Sequence, residues 1–340
     1  MTIHARRGQL ATTLLALSLT LGLTACGDDG DSGAASPSSN TSSSGGEASG
    51  ATPVLDQDFP DPDILRVDGT YYAYATQPAD ESVNVQMATS TDLETWEVQA
   101  QDPLPELPAW ATNGRTWAPE VTSGPNGFLM YMTARSVDPD LQCIGVATST
   151  SPTGPFRPVG DKPLICPEGE GGAIDAASYV EPDGKRYLLW KNDGNCCGKD
   201  TWLHLQPLSD DGLRLTGPPV RLIKQDQPWE GNLVEAPTLV RHGSSYVLFY
   251  SANDYGGEKY TTGYATASKL DGPYEKADEP LLTSDATGVT GPGGQDVVTD
   301  ASGETHIVFH GWDPAVIYRG MYVADLAWDG DTPKPALGDG

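Results

Sequence analysis

The chain has 340 residues, 47 of them acidic against 20 basic, for a formal charge of −27 at pH 7. That balance excludes nucleic acid as a partner, because phosphate backbones are held by basic patches. It suits an exported domain that meets a neutral partner.

Arg6 and Arg7 precede an apolar run, Leu10 to Leu23, that is short for a bilayer span. Leu23-Thr24-Ala25-Cys26 follows. Residues 1–25 therefore read as a signal peptide whose end resembles a lipobox, with Cys26 as the lipidated first residue of the mature protein. An ordinary secretory signal with an incidental cysteine is the alternative at this point. Residues 26–52 are mainly Ser, Gly, Ala, Asp and Thr without an aromatic residue, a composition that cannot bury a core. They read as a flexible tether. On this reading the protein sits on the extracellular side of a bacterial cell membrane and touches it only through the lipid.

From residue 53 one phrase recurs. Phe59 to Thr76, FPDPDILRVDGTYYAYAT, runs from acidic residues through a short apolar stretch and a turn at Asp68-Gly69 into an aromatic strand. It returns at Ala118 to Arg135, Asp175 to Asn192, Glu235 to Ala252 and, more loosely, Gln295 to Trp312. Aligned on their turns, the phrases begin at Asp61, Pro119, Asp175, Glu235 and Gln295, at intervals of 58, 56, 60 and 60 residues. Each is followed by a further strand and a turn, such as Ile144 to Ser149 before Gly154-Pro155-Phe156, or Gly263 to Ser268 before Gly272-Pro273-Tyr274. Five strand-rich units at a steady period predict an all-β, five-bladed β-propeller over residues 53–332, each blade an antiparallel sheet of about four strands, with 333–340 as a tail.

The innermost strand of a propeller blade lines the central channel, so the phrase starts converge on the axis. Three starts are acidic: Asp61, Asp175 and Glu235. Carboxylates crowded on one axis repel, a poor arrangement for stability alone. Glycosidic cleavage can use it, since one carboxyl must donate a proton while another activates water. Capping of turns is the structural alternative. Four cysteines remain after Cys26. Cys143 opens one strand and Cys166 closes the segment returning after the Gly154-Pro155 turn, which predicts a disulfide between them. Cys196 and Cys197 are sequence neighbours between Gly194 and Gly198, and are either bonded to each other or free thiols.

Pro60-Asp61-Pro62-Asp63-Ile64, Trp117-Ala118-Pro119-Glu120-Val121, Ile174-Asp175, Glu235-Ala236-Pro237 and Phe309-His310-Gly311-Trp312, in this order, resemble glycoside hydrolase family 43 over residues 54–330. The resemblance implies a carbohydrate substrate and exo-acting release of arabinose or xylose by inversion. It implies Asp61 as general base, Glu235 as general acid and Asp175 as the residue that orients the acid. Glu230, five residues before Glu235, is the rival acid or a substrate contact. Phe59 and Trp117 are expected as ring contacts, and Glu120 either as a partner for sugar hydroxyls or as a structural pair. His310 and Arg319 are further candidates at the channel. No cofactor is required for the chemistry. A structural calcium is a weaker expectation, because this chain has Gly291-Pro292-Gly293-Gly294 where many relatives carry Gly-Pro-Gly-His. The competing readings are a surface propeller that binds glycans without cutting them and a fructose-releasing hydrolase of a related propeller family, whose Asn-Asp-Pro-Asn start is absent.

Overall fold

The computed structural model describes residues 51–336, so the expected signal peptide, Cys26 and most of the tether lie outside the described residues, as do the last four positions. Five four-stranded antiparallel sheets follow one another along the chain. Blade one comprises Asp63–Val67, Thr70–Ala75, Gln86–Ser90 and Glu97–Val98, and its neighbours repeat the pattern from Trp117–Gly124, Ala173–Val180, Val234–His242 and Thr290–Thr299. The fold is a five-bladed β-propeller. Regular α-helix is confined to Ser284–Thr287 among the described residues.

The second strand of each blade is apolar on both faces, as in GFLMYMTAR and SYVLFYSA, because it is sandwiched between two other blades. The core is accordingly five wedges, one per interface. Tyr74, Met87, Val121 and Met130 fill the first. Leu129, Ile144, Leu188 and Trp190 fill the second, and Leu189, Leu239, Leu248 and Tyr250 the third. Val247, Phe249, Ile307 and Phe309 pack the fourth, and Phe59, Tyr71, Val308 and Met321 the fifth. Each such side chain, fully buried, contributes about 1.5–3 kcal/mol.

The fifth wedge closes the ring. Leu55 pairs with Met321 of blade five, and the Phe59 amide donates to the Arg319 carbonyl at 2.9 Å. The strand Thr332–Ala336 pairs with the end of Arg319–Asp329, so the ladder runs past the boundary expected at residue 332. Cys143 and Cys166 are joined, with Cα atoms 4.8 Å apart, beside the Ile144–Ile165 bridge. This is the antiparallel return expected of them.

Candidate active site

Each blade begins its inner strand with one residue in the left-handed region: Asp61 (φ 54°), Ala118 (39°), Asp175 (55°), Ala236 (49°) and Gly294 (57°). In blades two to five the ladder slips at this point, forming a bulge that re-aims the neighbouring side chains toward the axis. These residues set the true phase of the repeat, which differs from the turn-based alignment by one position in blades two, four and five. Glu235 is thus not the equivalent of Asp61 and Asp175. It precedes the left-handed residue of its blade, while Glu120 follows its own by two, in register with Asp63 and Asp296.

The backbone N–H of the left-handed residue needs an acceptor, and the preceding blade supplies it from the end of its second strand. Ala118 donates to Thr76 Oγ1 at 2.8 Å, Asp175 to Thr133 Oγ1 at 3.2 Å, and Gly294 to Ser251 Oγ at 2.8 Å. Asp61 donates to His310 Nδ1 at 3.0 Å, across the ring closure. The equivalent position between blades three and four is Lys191, which cannot accept. There the Ala236 amide turns to Asp175 Oδ2 at 2.9 Å, and Lys191 Nζ is released to reach Glu235 Oε2 at 3.0 Å. A break in the structural repeat therefore puts a buried cation beside Glu235. Lys191 was not singled out from sequence, although it is the charged residue at the end of the apolar run YLLWK in a position that is Thr, Thr, Ser or His in the other blades.

Asp61, Asp175 and Glu235 line one cavity of about 460 Å³ at the axis, together with Trp117, Lys191 and Arg319. Their environments differ. Burial by itself would raise the Asp61 carboxyl, but the Arg319 guanidinium at 3.4 Å, His310, and the Thr76 hydroxyl at 2.6 Å hold it far below the usual carboxylate range. Asp61 is ionised. Asp175 is pushed up to about 7 by burial and by the charge of Glu235, which Lys191 offsets only in part. Asp175 can therefore retain a proton near neutrality, next to Glu235. Tyr260 donates to Glu235 Oε1 at 2.9 Å, so both carboxylate oxygens are held. One ionised carboxylate and one proton-holding carboxyl around a shared cavity are the parts that acid–base hydrolysis requires.

Other expected contacts are placed elsewhere. Phe59 has 0% exposure and packs in the wedge between blades five and one, because it faces the chain closure instead of the cavity. Glu230 is also fully buried and does not line the cavity. It accepts from the Asp226 and Gln227 amides and from Tyr250, and pairs with Lys276 at 2.7 Å, which makes it the anchor of the turn Pro228–Glu230. His310 is enclosed beneath Asp61, with its imidazole kept neutral by burial and by Arg319. Arg319 pairs with Asp61 and lies between the Tyr255 and Trp312 rings. Glu120 lines the cavity floor and accepts from Ser178.

At the glycine that replaces the relatives' histidine, a Cβ on Gly294 would stand 2.4 Å from the His310 ring and 2.9 Å from Asp61 Oδ1. His310 fills that space, so a larger side chain does not fit. Among the described residues there is no group of three or more His, Cys, Asp or Glu side chains arranged around a metal ion. The residues do not fit the expected calcium.

Residues 51–333 match the family described as Glycosyl hydrolases family 43. The chain belongs to that family. It is 26% identical over 271 residues to an extracellular exo-α-(1→5)-L-arabinofuranosidase of Streptomyces avermitilis, covering 74% of this chain and 54% of that protein. It is likewise 26% identical to an extracellular endo-α-(1→5)-L-arabinanase 2 of Bacillus subtilis, over 65% of this chain and 51% of the relative. The chain thus spans about half the length of these relatives. Among solved structures, a thermostable family-43 glycoside hydrolase superposes with a TM-score of 0.75 at 29% identity, covering 84% of this chain and 96% of the other. An endo-1,4-β-xylanase from Bacteroides thetaiotaomicron gives 0.71 at 27% identity, with the same two coverages.

Proposed function

We propose that this family 43 member is an exo-acting glycoside hydrolase that releases arabinose or xylose units with inversion. The observation that carries the reading is the division of charge in the cavity: Asp61 is held ionised by Arg319 and His310, while Asp175, pushed up by burial and by Glu235, retains a proton next to Glu235 and Lys191. Glu235 gives its proton to the glycosidic oxygen as that bond breaks. Asp61 takes a proton from the water that attacks the anomeric carbon from the opposite face. Asp175, fixed by the Ala236 amide, positions the strand that carries Glu235 and holds a proton beside it. The names of the relatives, both acting on α-(1→5)-L-arabinosyl linkages, favour arabinofuranose as the sugar.

Proton NMR of a fresh digest tests the mechanism. The sugar released first should have the opposite anomeric configuration to the substrate, and initial release of the retained anomer would rule inversion out. A panel of chromogenic arabinofuranoside, xyloside and galactofuranoside tests the sugar. Internal cleavage is the second reading, favoured by Tyr255, which stands 52% exposed on the cavity wall where a further ring could stack. Arabinan digestion separates the two, since exo action yields monosaccharide from the start and endo action a ladder of oligomers. A glycan-binding propeller without activity would bind oligosaccharide equally well with Asp61 replaced by Asn and turn over nothing. The extracellular relatives support export. The lipid on Cys26 is part of the proposal, and incorporation of a labelled fatty acid that is lost in Cys26→Ala tests it.

A further inference from the structure

Blade three's contribution to the cavity includes a feature that the acid–base chemistry does not use. The connection between Arg186–Asn192 and Trp202–Pro207 makes a turn, Gly194–Cys197, that brings Cys196 to the cavity wall with Cys197 bonded to it. Asn195, Cys196 and Cys197 are all exposed. We infer that this disulfide turn is the surface on which the leaving sugar rests, an inference that depends on the hydrolase reading above.

Position is the first argument. Lys191 Nζ donates to Asn195 Oδ1 at 2.8 Å and to Glu235 Oε2 at 3.0 Å, so one ammonium ties the turn to the proton donor. The donor must reach the oxygen that joins the two sugars. Groups beside Glu235 and away from Asp61 therefore face the sugar that departs. Asp61 and its partners His310 and Arg319 belong to blades one and five, across the cavity from the turn.

Chemistry is the second. A sugar needs a flat apolar surface for its C–H face, and the aromatic residues that line this cavity are Trp117, Tyr255 and Tyr260, none from blade three. On that side Cys196, with its sulfur bonded to Cys197, lines the cavity beside Ile174, Ala176 and Ala177 and adds a polarisable apolar group, with the Asn195 amide next to it as a hydrogen-bonding group.

Rigidity is the third. The turn is exposed but braced from below. Asn192 Nδ2 donates to the Asp200 carbonyl at 3.0 Å and to the Glu170 carbonyl at 3.2 Å, and the Lys199 amide closes onto the Gly194 carbonyl at 2.9 Å. Gly194 fits only because it lacks a Cβ, which would lie 2.6 Å from the Asp200 carbonyl oxygen. A pre-ordered surface binds without the entropy cost of arranging itself.

The test compares two substrates in the full chain. A methyl arabinofuranoside needs the same proton from Glu235 but places only a methyl group where the second sugar would lie, whereas an arabino-oligosaccharide fills that place. Cys196→Ser/Cys197→Ser should lower kcat/KM on the oligosaccharide about fivefold to tenfold, the loss of one apolar contact. The methyl glycoside should change less than about twofold on the same scale, and the pH profile should not move. Equal losses on both substrates, or no loss on either, would overturn the inference while leaving the hydrolase reading intact. A wild-type chain that cleaves neither substrate would sink both. Should the double variant fail to fold, Cys197→Ser leaves one rim thiol at Cys196. Oligosaccharide should shield that thiol from a maleimide and monosaccharide should not; shielding by neither would also overturn the assignment. In a Cys26→Ala background, which leaves four cysteines, two titratable thiols in the denatured, unreduced chain, where none is expected, would remove its premise.

Discussion

Two sets of three carboxyls lie on the inner strands of this propeller, only a few residues apart, and they are treated differently. Asp61, Asp175 and Glu235 are matched by cations, Arg319 on one side and Lys191 on the other. Asp63, Glu120 and Asp296 lie within 4.0 Å of no Lys, Arg or His nitrogen among the described residues, and are held by groups of neighbouring blades. Asp63 accepts from the Val121 amide at 2.8 Å, Asp296 from the Ile64 amide at 2.9 Å, and Glu120 from the Ser178 hydroxyl. Burial raises all three, Asp296 to about 7, and the neighbouring carboxyls raise Asp63 and Asp296 further. The first set is a charge-separating device, and the second is a set of proton-sharing clasps between blades. On the proposed mechanism, the same residue type near the same strand serves chemistry or cohesion according to whether a cation stands beside it.

The comparison breaks most visibly at the first set. Asp61→Asn or Glu235→Gln should each reduce kcat by about 100-fold or more, the range of general acid–base contributions. Stopped assays on a chromogenic glycoside measure it. Either variant retaining more than about a tenth of the wild-type rate would remove that residue from the mechanism. Lys191→Met should come next, with a loss of about tenfold or more in kcat, since it leaves the Asp175–Glu235 pair without its cation. The alkaline limb of its pH profile should move upward, because the missing positive charge no longer favours the deprotonated form of Asp175.

Glu230→Gln moves the effect from rate to stability. The buried pair with Lys276 is broken, at a cost of about 3 kcal/mol in urea unfolding, while kcat on the surviving protein stays within about twofold. A collapse of kcat at unchanged stability would return Glu230 to the role of acid.

The smallest effect belongs to the second set. The folded-state pKa of Asp296 lies at about 7, above its ordinary 3.8, so the folded chain binds the proton that the unfolded chain releases. Stability is therefore greatest below about pH 4 for this group and falls as the pH rises toward 7. Asp175 slopes the same way. Asp296→Asn should flatten the difference in urea midpoint between pH 5 and pH 8 by on the order of 1 kcal/mol. A steeper dependence in the variant would contradict the assignment.

The ring of blades was legible because turn glycines and two-sided apolar strands repeat at a visible period. The phase at the axis was not. Two of the five left-handed residues that set it, Ala118 and Ala236, are alanines, which carry no mark of that conformation in sequence. Asp61, Asp175 and Glu235 could still be picked out as acids near blade starts, and all three line the cavity. Lys191 was hidden by its setting in an apolar strand, and Tyr260 by lying 25 residues from the carboxylate it touches. Phe59 and Glu230 misled for the converse reason. Nearness in sequence to a motif places a side chain near the site only when the strand points it there, and these two point into wedges of the core.

In the proposed mechanism the base is also the seam of the molecule. Asp61 takes its conformation partly from His310, a residue 249 positions further along the chain. During synthesis the cavity therefore has no competent base until the fifth blade has been made and has docked against the first. A chain cut short before blade five would carry all three acids, lack the His310 and Arg319 that fix Asp61, and be inert. Activity would then report ring closure more sharply than secondary structure does, since local unzipping at Leu55 and Met321 would silence the molecule while four of its interfaces remained whole.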